Sequence, residues 1–163
     1  MSGTLVSNTG PLVALGLVGR LDVLGSLFAE VVVPEEIHQE LLWKGASGPG
    51  VGAYLQSDFI RVHVTSVTPD PLLCAVLDAG EASVVRAGME LSADWVLIDD
   101  RKARRVAREI YGLNVIGTAG LLVLGKNAGF VGNVGPILER MRANGYWIHE
   151  RIVRAAMQSA GES

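Results

Sequence analysis

Short apolar runs of strand length, separated by stretches with helical period, constrain this chain more than any other feature. Thr4 to Ser7 (TLVS) and Val31 to Val33 have the character of buried strands. Phe59 to Val64 alternates and fits a more peripheral strand, and Trp95 to Ile98 and Leu113 to Ile116 complete the set. Between them lie helices. Pro34 sits where a first-turn proline is tolerated, and Glu35 and Glu36 after it suit the positive end of the helix dipole. Glu81 to Leu91 and Asp100 to Tyr111 are further helices, and Gly45 to Gly52 (GASGPGVG) is a loop. The alternation predicts a three-layer α/β/α sandwich around a mainly parallel sheet. All 163 residues fit one domain, with a helical tail from about 118 to 163 that includes Val134 to Ala143 and Glu150 to Ala160. Ligands of such sheets sit beyond the carboxyl ends of the strands, where strand order reverses.

Composition excludes several classes. Hydrophobic residues make up 49% and charged ones 19%, which is too apolar for a disordered chain. No apolar run approaches the roughly 20 residues needed to cross a bilayer. The N-terminus also lacks the basic and apolar regions of a secretory signal, so a cytoplasmic, membrane-free protein is expected. The single cysteine, Cys74, rules out an intrachain disulfide and a zinc framework, and its apolar surroundings predict an inert core position. A net charge of −3 has the wrong sign for bulk attraction to nucleic acid, so such binding would need a local basic patch.

Polar residues follow two of the strands: Asn8 after TLVS, then Asp99 and Asp100 after WVLI. Glu40, one turn beyond Glu36, and Glu81 in LDAGEASVV are helix acids that folding could bring beside them. Carboxylates crowded into one pocket repel one another, and a hard divalent cation with oxygen ligands offsets that repulsion. Each residue also has a structural reading. Asp99 or Asp100 would cap the following helix, and Asp78 with Glu81 has capping-box spacing. Glu40 would be a solvated helix acid, and Asn8 a turn residue before Thr9-Gly10-Pro11.

After the aspartates comes RKARRVAR, which on a helix puts Arg101, Arg104, Arg105 and Arg108 on one face and Ala103, Val106, Ala107 and Ile110 toward the core. That stripe suits a phosphate backbone, and equally a solvated face paired with Glu109. His38, His63 and His149 lack metal spacing. Gly117-Thr118-Ala119-Gly120 lacks the lysine of a phosphate-binding loop and reads as a strand-to-helix turn. Trp43, Trp95 and Trp147 form no stacking run and are assigned to packing or an interface.

In their order, VSNTGPLVAL, VVVPEEIHQEL, LDAGEASVV, WVLIDDRKARRVA, GTAG and the tail ILERMRANGYWIHERIVRAAMQSAGE resemble a PIN-like family of predicted nucleic-acid-binding proteins, relatives of VapC-type toxin ribonucleases. The resemblance covers nearly the whole chain. It implies a PIN-like fold that holds Mg²⁺ or Mn²⁺ with acidic residues and cuts single-stranded RNA by metal-activated water. Carried onto this sequence, the metal ligands are Asn8, Glu40, Glu81, Asp99 and its neighbour Asp100, the last four also being catalytic. Thr9 matches the small hydroxyl residue that supports the pocket, and it joins Arg101, Arg104, Arg105 and Arg108 as a nucleic-acid contact. The departure is Asn8, where the family's nucleases have aspartate. An amide oxygen coordinates without charge and cannot take a proton from water. Three functions therefore follow: a ribonuclease with a small antitoxin as partner, a PIN-like binding or regulatory module without hydrolysis, or an interaction protein whose N-terminal aliphatic segments PLVALGLVG and LDVLGSLF form a homodimer.

Overall fold

The computed structural model describes residues 3–163 except Val67 and Pro69. In chain order the elements are β1 (Thr4–Ser7), α1 (Thr9–Leu17), α2 (Asp22–Leu27), β2 (Glu30–Pro34), α3 (Glu35–Lys44), α4 (Val51–Gln56), β3 (Ile60–His63), α5 (Pro71–Val76), α6 (Ala79–Glu90), β4 (Trp95–Leu97), α7 (Arg101–Glu109), β5 (Val115–Ile116), α8 (Thr118–Asn127), α9 (Val134–Ala143) and α10 (Glu150–Ser159). The strands form one sheet ordered β3-β2-β1-β4-β5, with every pairing parallel. Helices flank it, and the α/β sandwich expected from the alternation is what the chain forms.

Burial explains the strand sequences. Leu5, Val6, Val31, Val32, Val33, Val96 and Leu97 are covered on both faces of the sheet, so they are continuous aliphatic runs and not alternating ones. At the edge, β3 leaves Arg61 and Val62 exposed. Helix α6 lies across β1, β2 and β4, with α3 beside it along β2 and β3. Helices α8, α9 and α10 pack on one another, and α8 and α9 reach α1. The N-terminal apolar segments that suggested a dimer face are used inside the chain: Leu12, Leu15, Val23, Leu24 and Leu27 are fully buried.

One contact depends on glycine at both ends. Helix α1 meets the start of α4 so closely that a Cβ on Gly16 would stand 2.1 Å from the Gly50 carbonyl oxygen. Gly50 itself has φ +74°, a conformation that side chains disfavour. The loop from Gly45 is therefore shorter than expected, because α4 begins at Val51.

Two expectations about burial need correction. Cys74 is exposed, since the short helix α5 turns only Leu73 inward. Ile110 is 54% exposed because α7 ends at Glu109 and leaves it at the C-cap, outside the buried stripe of Ala103, Val106 and Ala107.

Candidate functional site

The chain runs outward from β1 to β2 and β3, then crosses back to place β4 on the other side of β1. The reversal lies between β1 and β4, and beyond their carboxyl ends stand Asn8, Asp99 and Asp100. The Asn8 amide nitrogen donates to the Leu97 carbonyl (3.0 Å), so the two strand exits are tied together. Asn8 caps α1 by backbone conformation alone, without a side-chain capping bond.

Two neighbouring elements bring acids to this edge. Helix α3 carries Glu40, whose Oε2 accepts a hydrogen bond from the buried Thr9 hydroxyl at 2.8 Å. Across from it, α6 begins with Asp78, Gly80 and Glu81. A Cβ on Gly80 would lie 3.3 Å from Glu40 Oε2 and 3.5 Å from Asp78 Oδ1, so the glycine leaves the gap between these two carboxylates open. Asp78 and Glu81 form a complete capping box: Glu81 N donates to Asp78 Oδ1 (2.8 Å) and Asp78 N to Glu81 Oε1 (3.2 Å). Asp100 caps α7, its Oδ1 accepting from Ala103 N at 2.8 Å. In each case capping occupies one carboxylate oxygen, so the capping and ligand readings are compatible.

Electrostatics connect these acids. Burial pushes the Glu81 carboxyl above its usual range, the Asp78 amide opposes this, and repulsion from Asp78 and Asp100 adds to the rise. Asp99 is arranged differently. Its Oδ1 accepts from Thr118 N (2.7 Å), and its Oδ2 from the Thr118 hydroxyl (2.5 Å) and the Tyr146 hydroxyl. Burial, then the Asp99 charge, push the Tyr146 hydroxyl far above its ordinary value, so it remains the donor in that bond. Asp99 thus joins β4, the start of α8 and the segment before α10. A Cβ on Gly117 would fall 2.6 Å from Arg104 Nη1 and 3.0 Å from Asp99 Oδ1, so a side chain at this corner would displace the Arg104 guanidinium.

The arginine stripe divides on folding. Arg104 is half-buried and donates from Nη1 to the Ile98 carbonyl (3.0 Å). Burial lowers its pKa, Arg108 lowers it further, and Asp99 opposes both. Arg101 lines a cleft with Arg104, whereas Arg105 pairs with Glu109 at 3.2 Å on the exposed surface. Thr118 and Tyr146 were not singled out as site residues in the sequence. The GTAG turn hinted at Thr118, but nothing local marks a tyrosine that reaches back 47 residues to Asp99.

Among the described residues, no three Asp, Glu, His or Cys side chains stand close enough to hold an ion as they are placed. The donor chemistry does fit one. Glu40, Glu81 and Asp100 offer hard oxygens, and the repulsion raising Glu81 is what a divalent cation relieves.

A parallel sheet with carboxylates from separate elements beyond its strand ends at the switch point defines an open-sheet α/β protein. The sequence profile of a PIN-domain family matches residues 4–162, nearly the entire chain, and the protein belongs to that family. PIN domains are in general nucleases that use divalent metals. No curated protein and no solved structure matches the chain significantly. Among the described residues, no helix is long and apolar enough to cross a membrane.

Proposed function

We propose that this protein is a cytoplasmic endoribonuclease, dependent on Mg²⁺ or Mn²⁺, that cuts single-stranded RNA. The observation that supports it most is the placing of carboxylates from separate elements at the switch point of a PIN-family sheet, with Glu40 facing Asp78 across Gly80 and the Glu81 carboxyl raised by burial and by Asp78 and Asp100. Glu40, Glu81 and Asp100 would hold the metal, with the Asn8 carbonyl as a neutral ligand and Asp99 alongside. A bound ion supplies Lewis acidity toward phosphate and lowers the pKa of a bound water. The chain itself supplies position. Thr9 fixes the Glu40 carboxylate, the capping bonds hold Glu81 and Asp100 at their helix starts, and Asp99 anchors the corner carrying Thr118 and Tyr146.

The test is cleavage of single-stranded RNA with Mg²⁺ or Mn²⁺, comparing the protein with Glu81→Gln, Asp99→Asn and Asp100→Asn. Loss of either metal-edge carboxylate, at Glu81 or Asp100, should lower the rate about a hundredfold or more, the scale of a lost acid or base. No cleavage by the unmodified protein, or full cleavage by both of those variants, ends the proposal.

Asn8 favours a second reading, a PIN module that binds RNA without turnover. It predicts that Asn8→Asp gains metal affinity in calorimetry; tight binding of two ions by the unmodified protein contradicts it. The likeness to toxin ribonucleases extends the first reading to a small antitoxin protein and a homodimer. Co-purification with the product of an adjacent gene and light scattering test these in turn.

A further inference from the structure

The cleft beside the acidic edge has a composition that the acids do not explain. It has a volume of about 610 Å³, within the roughly 300–1,000 Å³ typical of ligand sites. Its walls come from β5, the starts of α7, α8 and α10 and the segment joining α9 to α10. Arg101, Arg104 and Arg151 line it, and Asp99 is the one acid among its described lining residues. Both Asp99 oxygens are already engaged by Thr118 and Tyr146. On a chain of net charge −3, this is a local excess of positive charge open to solvent.

Trp147 lies in the same cleft and is 77% exposed. Its neighbours hold it there. Tyr146 is pinned to Asp99 and Ile148 is buried at 6%, so the segment is fixed on either side and the indole is left outward. Arg142 stands 6.0 Å from the Trp147 ring and is itself held by Glu139 (3.2 Å) and Glu150 (2.7 Å). An indole held at a fixed point among guanidinium groups suits a planar group joined to anions. Nucleotides in a single strand have that pattern, whereas a duplex keeps its bases stacked inside.

We propose that this cleft is a binding subsite for single-stranded RNA, in which Trp147 stacks one base while Arg101 and Arg151 engage its phosphates, and Arg104, tied to Ile98, lines the wall as a fixed positive charge. The subsite rests on the ribonuclease reading for its biological meaning, but not for its test. Asp99, the chain neighbour of Asp100, is part of its lining, which sets the cleft beside the acidic edge. The subsite takes in only part of the arginine stripe: Arg101 and Arg104 line the cleft, and Arg105 is turned to Glu109.

The experiment is fluorescence anisotropy with a labelled single-stranded oligouridylate, in EDTA and without added metal, so that neither hydrolysis nor ion binding enters the result. Trp147→Ala should weaken binding about fivefold to a hundredfold, the range found for stacking a single base. Trp147→Phe should retain most of the affinity, because it keeps an aromatic face. Arg151→Ala should weaken binding and flatten its salt dependence by about one phosphate contact. Trp43→Ala is the control, since Trp43 is 91% exposed on α3, outside the cleft. Unchanged binding by Trp147→Ala, equal binding of a duplex, or no binding by the unmodified protein overturns the subsite. The nuclease reading is judged separately. Cleavage with Mn²⁺ that is indifferent to Trp147 removes the subsite and leaves the nuclease, while Trp147-dependent binding without cleavage does the reverse.

Discussion

At the residue scale, the two adjacent aspartates after β4 have separate tasks. Asp100 caps α7 with one oxygen and contributes to the field on Glu81. Asp99 uses both oxygens on Thr118 and Tyr146, and so acts as a joint between β4 and the C-terminal helices. Removing the tyrosine hydroxyl in Tyr146→Phe takes away one of three hydrogen bonds to a charged acceptor. Because Thr118 continues to satisfy the carboxylate, the loss should be near the lower end for such bonds, about 1.5 kcal/mol by urea denaturation. Ribonuclease activity should fall by far less than in Glu81→Gln, since Tyr146 acts on position and not on the reacting atoms. A collapse of activity equal to that of Glu81→Gln would instead place Tyr146 at the chemistry.

Elements stand or fall on contacts that differ in how local they are. The strands could be read from sequence because burial on both faces requires unbroken aliphatic runs, as in Val31 to Val33. The caps could be read because Asp78 and Glu81 lie three residues apart, the spacing a helix start demands. What the sequence hid is non-local: Tyr146 on Asp99, Gly50 on α1, and the division of the α7 arginines between cleft and surface. The start of α9 is another such case. Asn133, its N-cap, makes no side-chain capping bond, its Oδ1 accepting from Lys126 Nζ (3.3 Å), and Glu162 accepts from Val134 N at 3.0 Å instead. Lys126 lies 3.7 Å from the other Glu162 oxygen, so the last residues join α8 to α9. Glu162→Ala should therefore cost about 0.5–2 kcal/mol, the range for losing a helix cap, although it lies next to the end of the chain. Gly16→Ala is the contrasting case, because its methyl group would meet backbone that cannot turn aside. A loss of about 1–3 kcal/mol is expected from such overpacking, measurable as a lower urea midpoint.

At the scale of the whole molecule, the fold holds Glu81 where burial and two acidic neighbours disfavour its charge, and pH and metal should both report it. Glu81 has a folded pKa above its ordinary value, with burial the first cause and Asp78 and Asp100 adding to it. For a carboxyl shifted in this direction, the folded state binds the proton more tightly than the unfolded state does. The stability it contributes is therefore complete below the unfolded pKa and disappears as pH rises through the folded one. Glu81→Gln keeps a capping-box side chain and has no charge to lose. Without metal, the variant should match the unmodified protein in acid and become the more thermostable of the two as pH climbs through the carboxylate range. Saturating Mn²⁺ should then reverse the order at neutral pH, raising the melting temperature of the unmodified protein more than that of the variant. An ion at a hundred times its dissociation constant adds about 2.7 kcal/mol to the state that binds it. If Glu81→Gln is less stable than the unmodified protein at neutral pH without metal, the acids at the switch point are not in mutual repulsion. A cation would then have no electrostatic reason to settle among them, whatever the RNA assays report.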